Sequence, residues 1–351
     1  MDEMLKEMVH RGASDLHISV GCPPHIRLHG SLVPLEGCDS LSPEMARELI
    51  YTLLDPQQIK RFENDKELDF AFGVKGLSRF RVNVFYQRAS VGAAIRALPF
   101  RILTFEDIGM PADVMLDLCS KPKGLVLVTG ATGSGKSTTL ASMVDQINQT
   151  RACHIVTIED PIEFVHTNKR AVVDQREVHS DTHSFNEALR HILRQDPDVI
   201  MIGEMRDLET IEAALNIAET GHLVFATLHT SDAVQSINRI IDVFPAHKQD
   251  QVRTQLSFVI IGALSQQLLP RSDGAGRVLA SEILLVNHAV RALIREGKIH
   301  QVFSVMQTCS REGMSTMNQS LFELYSRGVI DFAEAMGRTN EPDDLKRLFK
   351  Q

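Results

Sequence analysis

The sequence lacks paired cysteines and any long apolar run. Its five cysteines are scattered without a Cys-x-x-Cys pair, which argues against a zinc or disulfide framework and favours a reducing compartment. No apolar stretch is long enough to cross a bilayer, and SFVIIGAL (257–264), among the longest, is expected to lie in a buried helix. The opening residues MDEMLKEMVHRG mix acids and bases, unlike a secretory signal. We therefore expect a soluble, cytoplasmic protein.

An excess of basic charge is also missing. The formal net charge is -8 over 351 residues, which argues against a protein whose main partner is nucleic acid. There is no low-complexity tract, and the 43% hydrophobic content is typical of a globular protein. The length is sufficient for two domains, each with its own core.

Residues 1–98 are predicted to form a small α+β domain. A helix is expected over 42–54, where Ser42 is a good N-cap and proline occupies the first helical position. Strands are expected at 69–74, 78–87 and 91–98, the first two joined by a turn that contains Gly76.

The pattern changes after a predicted linker at 99–111. Between 112 and 351 the apolar segments GLVLVT, HIVTIE, VIMI and HLVFATL alternate with helical segments, which predicts a parallel sheet covered on both faces. Ser184 and Glu187 are expected to form a capping box at the start of a helix near 184–194. From about 287 onward the apolar periodicity predicts a cluster of helices. The fold class is therefore α/β, and a smaller α+β domain precedes it in the sequence.

The segment GATGSGKST (130–138) matches the phosphate-binding pattern GxxxxGK[ST], and it follows an apolar strand and opens a helix, as that pattern requires. Its glycines allow backbone N–H groups to face phosphates at a helix N-terminus. Lys136 is expected to reach the β- and γ-phosphates of ATP, and Ser137 to ligate Mg²⁺. The candidate nucleotide-binding residues are Gly130, Thr132, Gly133, Ser134, Gly135, Lys136, Ser137 and Thr138.

Acidic residues follow two of the other apolar strands. HIVTIEDPIEFV (154–165) places Glu159, Asp160 and Glu163 around a proline that ends the strand, and the pattern leaves open which of the three acts. In DPDVIMIGEMRD (196–207), Gly203 stands where a P-loop enzyme usually has a metal-binding Asp, and Glu204 follows it. Glu204 is therefore a candidate for the Mg²⁺ site.

Histidine and arginine are the remaining candidates. Ligands of open α/β sheets bind beyond the carboxyl ends of the strands, which places His229 on the nucleotide side and His222 at the opposite end of the same strand. Arg81 and Arg96 lie on two strands of the small domain. An arginine that neutralises transition-state charge can accelerate phosphoryl transfer by ~10³ to 10⁵. From the residues alone, however, the simpler interpretation is that Arg81 and Arg96 lie on a strand face exposed to solvent.

The sequence resembles the ATPases of type II and type IV secretion and of type IV pili. The resemblance lies in four motifs and in their order and spacing: GATGSGKST, TIEDPIE, IGEMRD and GHLVFATLHT. The pair Gly203–Glu204 is typical of that family. The segments at 13–30, 289–301 and 313–328 resemble the subfamily that retracts type IV pili.

The resemblance implies a RecA-like P-loop ATPase domain preceded by a PAS-like domain, with ATP bound between them. It also implies a homo-hexameric ring that powers pilus retraction and twitching motility. Its partner would be a platform protein of the inner membrane, contacted from the cytoplasmic face, with no role for nucleic acid.

The resemblance also assigns roles by position. Glu163 matches the catalytic glutamate and Glu204 the Walker B acid, while His222 and His229 match a histidine box. Arg81 and Arg96 match arginines that approach the phosphates.

Three alternatives remain at this level. The chain could be an assembly or secretion ATPase of the same class, or a nucleotide-gated scaffold that regulates pili without hydrolysis. It could also be a DNA translocase, a reading that the acidic net charge disfavours.

Overall fold

The computed structural model describes residues 1–28, 30–74, 76–98, 101–274 and 276–350. The chain divides into two compact units, Met1–Arg101 with Pro161–Val165, and Ile102–Asp160 with His166–Gln351. Of the predicted linker at 99–111, Pro99 and Phe100 lie outside the described residues, and a short helix occupies Phe105–Ile108.

The first unit contains one antiparallel sheet, in the strand order β3-β2-β1-β6-β5-β4. Its strands are β1 (Asp15–Ile18), β2 (His25–Leu28), β3 (Ser31–Pro34), β4 (Glu67–Val74), β5 (Ser78–Gln87) and β6 (Ser90–Leu98). Its helices are α1 (Asp2–His10), α2 (Pro43–Tyr51) and α3 (Pro56–Asp65).

Apolar and polar side chains alternate along β5, and this alternation determines which face of the sheet is buried. Phe80, Val82 and Val84 are fully buried in the core of the unit, whereas Arg81 between them is exposed. This two-residue period is what the sequence predicts for a half-buried strand, and the predicted pairing of 69–74 with 78–87 is confirmed. The predicted cap of α2 is confirmed too, because Ser42 Oγ accepts a hydrogen bond from Met45 N at 3.2 Å.

The second unit contains a mainly parallel sheet in the order β13-β12-β7-β11-β10-β8-β9, in which only β13 runs antiparallel to its neighbour. Its strands are β7 (Gly124–Thr129), β8 (His154–Glu159), β9 (Val172–Glu177), β10 (Val199–Ile202), β11 (Leu223–Leu228), β12 (Ile260–Pro270) and β13 (Arg277–Leu285). Its helices are α4 (Phe105–Ile108), α5 (Ala112–Ser120), α6 (Lys136–Thr150), α7 (Phe185–Ile192), α8 (Leu208–Glu219), α9 (Ala233–Asp242), α10 (Gln249–Val259), α11 (His288–Arg295), α12 (Val302–Thr308), α13 (Met317–Ser326), α14 (Phe332–Arg338) and α15 (Pro342–Leu348).

Helices cover both faces of the parallel sheet. Along β7, Leu125 and Leu127 belong to one hydrophobic cluster, and Val126 and Val128 belong to a second cluster on the opposite face. All six residues of β7 are buried, and no polar side chain interrupts the strand before Thr129 at its end, as expected for a strand covered on both faces. The predicted α/β fold with a parallel sheet is therefore confirmed.

Two local predictions are wrong. SFVIIGAL is not one helix: α10 ends at Val259, and Ile260 begins β12, which pairs with β7. At the start of α7, Ser184 Oγ accepts from Glu187 N at 3.1 Å, but the Glu187 carboxylate pairs with Arg190. Only the Ser184 half of the capping box therefore forms. Among the described residues, no helix combines the length and the apolar character needed to cross a membrane.

A buried carboxylate joins the sheet to the start of two helices. Glu282 on β13 accepts hydrogen bonds from Ala233 N at 2.8 Å and from Met317 N at 3.4 Å, at the first residues of α9 and α13. Burial raises the pKa of Glu282 to about 7, an effect that the bond from Ala233 opposes and the charge of Asp232 reinforces.

Glu282 should therefore make the stability of the protein depend on pH. Its pKa in the folded state lies above its ordinary value of 4.5. The stabilisation of the folded state by the protonated Glu282 carboxyl group is therefore complete below that ordinary value. It is lost as the pH rises through about 7. Between pH 5 and pH 8, we expect the free energy of unfolding to fall by about 2–3 kcal/mol more in the wild type than in Glu282→Gln. Denaturant unfolding at several pH values measures this difference, since other titrating groups are common to both proteins. Parallel pH profiles would contradict it.

Candidate functional site

The P-loop occupies the turn between β7 and α6. Gly130 has a φ of +139°, and a Cβ atom there would lie 2.4 Å from the carbonyl oxygen of Gln266. Gly133 and Gly135 also have positive φ values, +78° and +94°, and Gly135 is the N-cap of α6. The chain can follow this path because glycine has no side chain to obstruct it.

The polar side chains of the loop differ in exposure. Thr132 is exposed and Ser134 is buried, whereas Lys136, Ser137 and Thr138 in the first turn of α6 are half-buried. Lys136 Nζ donates hydrogen bonds to the carbonyl oxygens of Gly130 at 2.8 Å and Ala131 at 3.0 Å. The amine is thus folded back over the loop, where it adds positive charge to the N-terminus of α6.

These residues fit a nucleotide with Mg²⁺. The positive φ values and the helix N-terminus provide N–H groups for phosphates, and Ser137 provides a hydroxyl ligand. One hydroxyl ligand beside a phosphate site fits Mg²⁺, which usually keeps several waters and binds proteins through few side chains together with substrate phosphates.

Glu204 follows β10 and contacts one arginine and one histidine. One carboxylate oxygen lies 2.7 Å from Arg206 Nη2, and the other lies 3.3 Å from His229 Nε2. Burial alone would raise the pKa of Glu204, but the hydrogen bond and charge of Arg206, together with His229, hold it below its usual value. The same hydrogen bond raises the pKa of Arg206. Glu204 is therefore a carboxylate at neutral pH, as an acceptor for metal-bound water must be.

Packing explains why glycine precedes this acid. A Cβ on Gly203 would lie 3.1 Å from the carbonyl oxygen of Ile158 and 3.3 Å from Glu159 Cα on the neighbouring strand β8. Gly203 N donates to that same Ile158 oxygen at 2.8 Å, so the two backbones are in close contact. A side chain at 203 would have to push these backbones apart by a few tenths of an ångström, which favours glycine at this position.

The structure separates the three carboxylates at the end of β8. Glu159 is buried and accepts hydrogen bonds from Thr157 Oγ1 at 2.7 Å and Gln175 Nε2 at 3.1 Å. Asp160 is exposed and acts electrostatically on Arg206. Glu163 is half-buried and lies in Pro161–Val165, which belongs to the first unit. Glu159 is thus engaged inside the sheet, and its neighbours remain accessible.

The two candidate histidines lie far apart. His229 is at the carboxyl end of β11, beside Glu204. His222 is at the other end, where its Nδ1 lies 3.1 Å from Thr220 Oγ1 and 3.1 Å from the carbonyl oxygen of Ile217. The six residues of β11 between them span about 20 Å. Within one chain, therefore, only His229 joins the Glu204 cluster.

The two candidate arginines are neighbours in the first unit. Arg81 on β5 is the direct cross-strand partner of Arg96 on β6, so the two side chains project from the same face. Both are exposed, and Arg96 Nε lies 2.8 Å from Asp15 Oδ1. The Arg96 guanidinium is thus anchored by the Asp15 carboxylate, and Arg81 lies exposed beside it.

Arg206 is a site residue that sequence reasoning missed. It lies in the same IGEMRD segment as Glu204, two residues further on, and it makes the shorter of the two side-chain contacts of Glu204. The signal was available in the motif itself, since an arginine two positions after a strand-end acid can turn back towards it.

The sequence matches the family described as Type II/IV secretion system protein over residues 1–337. The chain belongs to this family. One relative of this chain is described as the type IV pilus retractation ATPase PilT of Pseudomonas aeruginosa. It is 48% identical over 98% of this chain and 99% of its own length. The type IV pilus ATPase PilU of the same organism is 41% identical over 99% of this chain and 91% of its own length.

The fold comparison agrees. A crystal structure of the pilus retraction motor PilT with bound ADP superposes on this chain with a TM-score of 0.93 and 52% identity, covering 98% of each chain. Such similarity over the full length shows that the chain is a nucleotide-binding ATPase with the P-loop fold of this family.

Proposed function

We propose that the chain is a hexameric ATP-hydrolysing motor that retracts type IV pili. The observation that carries this proposal is the similarity to PilT of Pseudomonas aeruginosa along 99% of that protein. The P-loop and the Glu204 cluster support it, because they provide the parts that ATP hydrolysis needs at one edge of one sheet.

The proposed division of labour follows the positions of the side chains. The loop from Gly130 to Thr138, which includes Lys136, would bind the phosphates. Ser137 with Glu204 would hold Mg²⁺, which neutralises phosphate charge. Glu163 would orient or deprotonate the attacking water, and Arg81 and Arg96 would stabilise the charge that develops. His229 would report the γ-phosphate through its contact with Glu204.

Work would come from closure of the two units around the nucleotide. Because Arg81 and Arg96 belong to the first unit and the P-loop to the second, binding of a γ-phosphate by both would draw the units together. The hinge would lie within residues 99–111. Repeated around a closed head-to-tail ring, this motion would act on a platform protein of the inner membrane from its cytoplasmic face. The proposal includes no nucleic-acid partner.

A deletion strain complemented with variants tests this function. Loss of a retraction motor should leave cells with excess, immobile pili, whereas loss of an assembly motor should leave them without pili. Wild-type chain should restore twitching, and Lys136→Ala should not, because its P-loop lacks the amine that meets the phosphates. Rescue by Lys136→Ala would instead favour a regulatory scaffold that does not hydrolyse ATP. Purified protein supplies the parallel measurement: phosphate release that DNA stimulates would favour a translocase.

A further inference from the structure

Strand β12 runs alongside the P-loop. It pairs in parallel with β7, and Ser265 is the register partner of Thr129, the last residue before the loop. Gln266 therefore lies one position beyond the end of β7, next to Gly130. A Cβ on Gly130 would come within 2.4 Å of the Gln266 carbonyl oxygen, which shows how closely the loop backbone packs on this strand.

Two buried hydrogen bonds join this strand to the ends of the loop. The hydroxyl groups of Ser265 and Thr129 lie 2.9 Å apart. Gln266 Nε2 donates to Thr139 Oγ1 at 2.7 Å, and Thr139 directly follows the loop. All four residues are at most 1% exposed. The residues immediately before and after the P-loop are thus bonded to two consecutive residues of one strand.

This arrangement fixes the distance between the ends of the loop. Because consecutive strand residues point to opposite faces, Ser265 holds the end of β7 while Gln266 reaches the helix α6. Hydrogen bonds are electrostatically stronger in a buried environment than in water, and breaking one leaves an unpaired polar group. A loop with fixed ends needs less ordering when phosphates bind, so affinity increases through preorganisation.

We propose that Ser265 and Gln266 are positioning residues for the P-loop. They hold Thr129 and Thr139 at the spacing at which the loop N–H groups and Lys136 receive phosphates. Neither residue touches the nucleotide in this proposal, and both act through the loop. The inference rests on nucleotide binding at the P-loop, which is part of the proposed function.

The adjacent residue provides a matched control. Gln267 is the same residue type on the same strand, but it is half-buried, and its Nε2 donates at 3.3 Å to the carbonyl oxygen of Arg338, away from the P-loop. Replacing Gln266 by Met removes the amide donor while nearly keeping the side-chain volume. We expect Gln266→Met to weaken ADP binding about tenfold, the equivalent of one lost hydrogen bond, and Gln267→Met to change it by less than about twofold.

A double variant distinguishes positioning from general destabilisation. Gln266→Met leaves the Thr139 hydroxyl buried without its donor. It lowers the midpoint of urea unfolding by less than a full lost hydrogen bond, because it also removes Gln266 Oε1, an oxygen that is buried without a partner. Adding Thr139→Val removes that orphaned hydroxyl, so the midpoint should recover towards that of the wild type. The affinity for ADP should nevertheless stay reduced, because the loop end remains untethered.

The measurements are titrations of purified full-length chain with ADP, alongside urea unfolding. Ser265→Ala is a second variant with a smaller volume change, and it should also weaken ADP binding. Wild-type affinity in Gln266→Met, or recovery of affinity together with stability in the double variant, would overturn the proposal. These are binding measurements, so they stand apart from any failure of the chain to retract pili.

Discussion

Glu163→Gln is expected to bind ATP with nearly unchanged affinity and to hydrolyse it about 10² to 10⁴ times more slowly, the usual contribution of a general base. The amide keeps the size of the side chain but cannot accept a proton from water. The choice of Glu163 among the three acids comes from the family resemblance. The structure adds that the side chain is half-buried in Pro161–Val165, whereas Glu159 is buried and hydrogen-bonded inside the sheet.

The two neighbouring acids are matched controls for this experiment. Asp160→Asn and Glu159→Gln make the same chemical change within four residues of Glu163, and each is expected to slow hydrolysis by less than about tenfold, well under a general-base effect. ATP affinity and single-turnover hydrolysis should be measured for all three. Hydrolysis by Glu163→Gln at the wild-type rate would exclude Glu163 as the base, and loss of ATP binding would place it among the binding residues instead.

Gly130→Ala should weaken ATP binding by about 100-fold or more, since a strained backbone and a forced displacement each cost of order 1–3 kcal/mol. The φ of +139° disfavours any side chain at this position, and the new methyl group would lie 2.4 Å from the Gln266 carbonyl oxygen and 2.6 Å from Ser134 Oγ. The Gln266 oxygen belongs to the backbone of a central strand and cannot move aside cheaply. The loop must therefore shift, taking its N–H groups with it.

Gly133→Ala separates the steric effect from the backbone strain. Gly133 also has a positive φ, +78°, but its Cβ would meet nothing within 4 Å. In the absence of nucleotide it should lose only about 1–2 kcal/mol of unfolding free energy, the cost of a left-handed conformation. Gly130→Ala should lose clearly more. Equal losses in the two variants would show that contact with β12 does not constrain the loop.

Local sequence patterns determined much of this protein. The alternation in β5, the apolar strand β7 and the glycine pattern of the P-loop each arise from neighbours in the chain, and each matches the structure. Such patterns report the environment of a single element, because the period of burial follows from helix or strand geometry alone. The sequence placed His229 and Glu204 at the nucleotide end of their strands, and the structure adds that their side chains lie 3.3 Å apart.

What the sequence could not determine depends on contacts between distant segments. The apolar segment SFVIIGAL is compatible with either a helix or a strand. Its division between α10 and β12 is decided by the pairing of β12 with β7, more than a hundred residues earlier. The engagement of Glu159 by Gln175, and the close contact of Gly203 with β8, depend on the order of strands in the sheet. Only the tertiary structure brings Gln266 beside Gly130, because strand order and register are properties of the whole sheet rather than of any one strand.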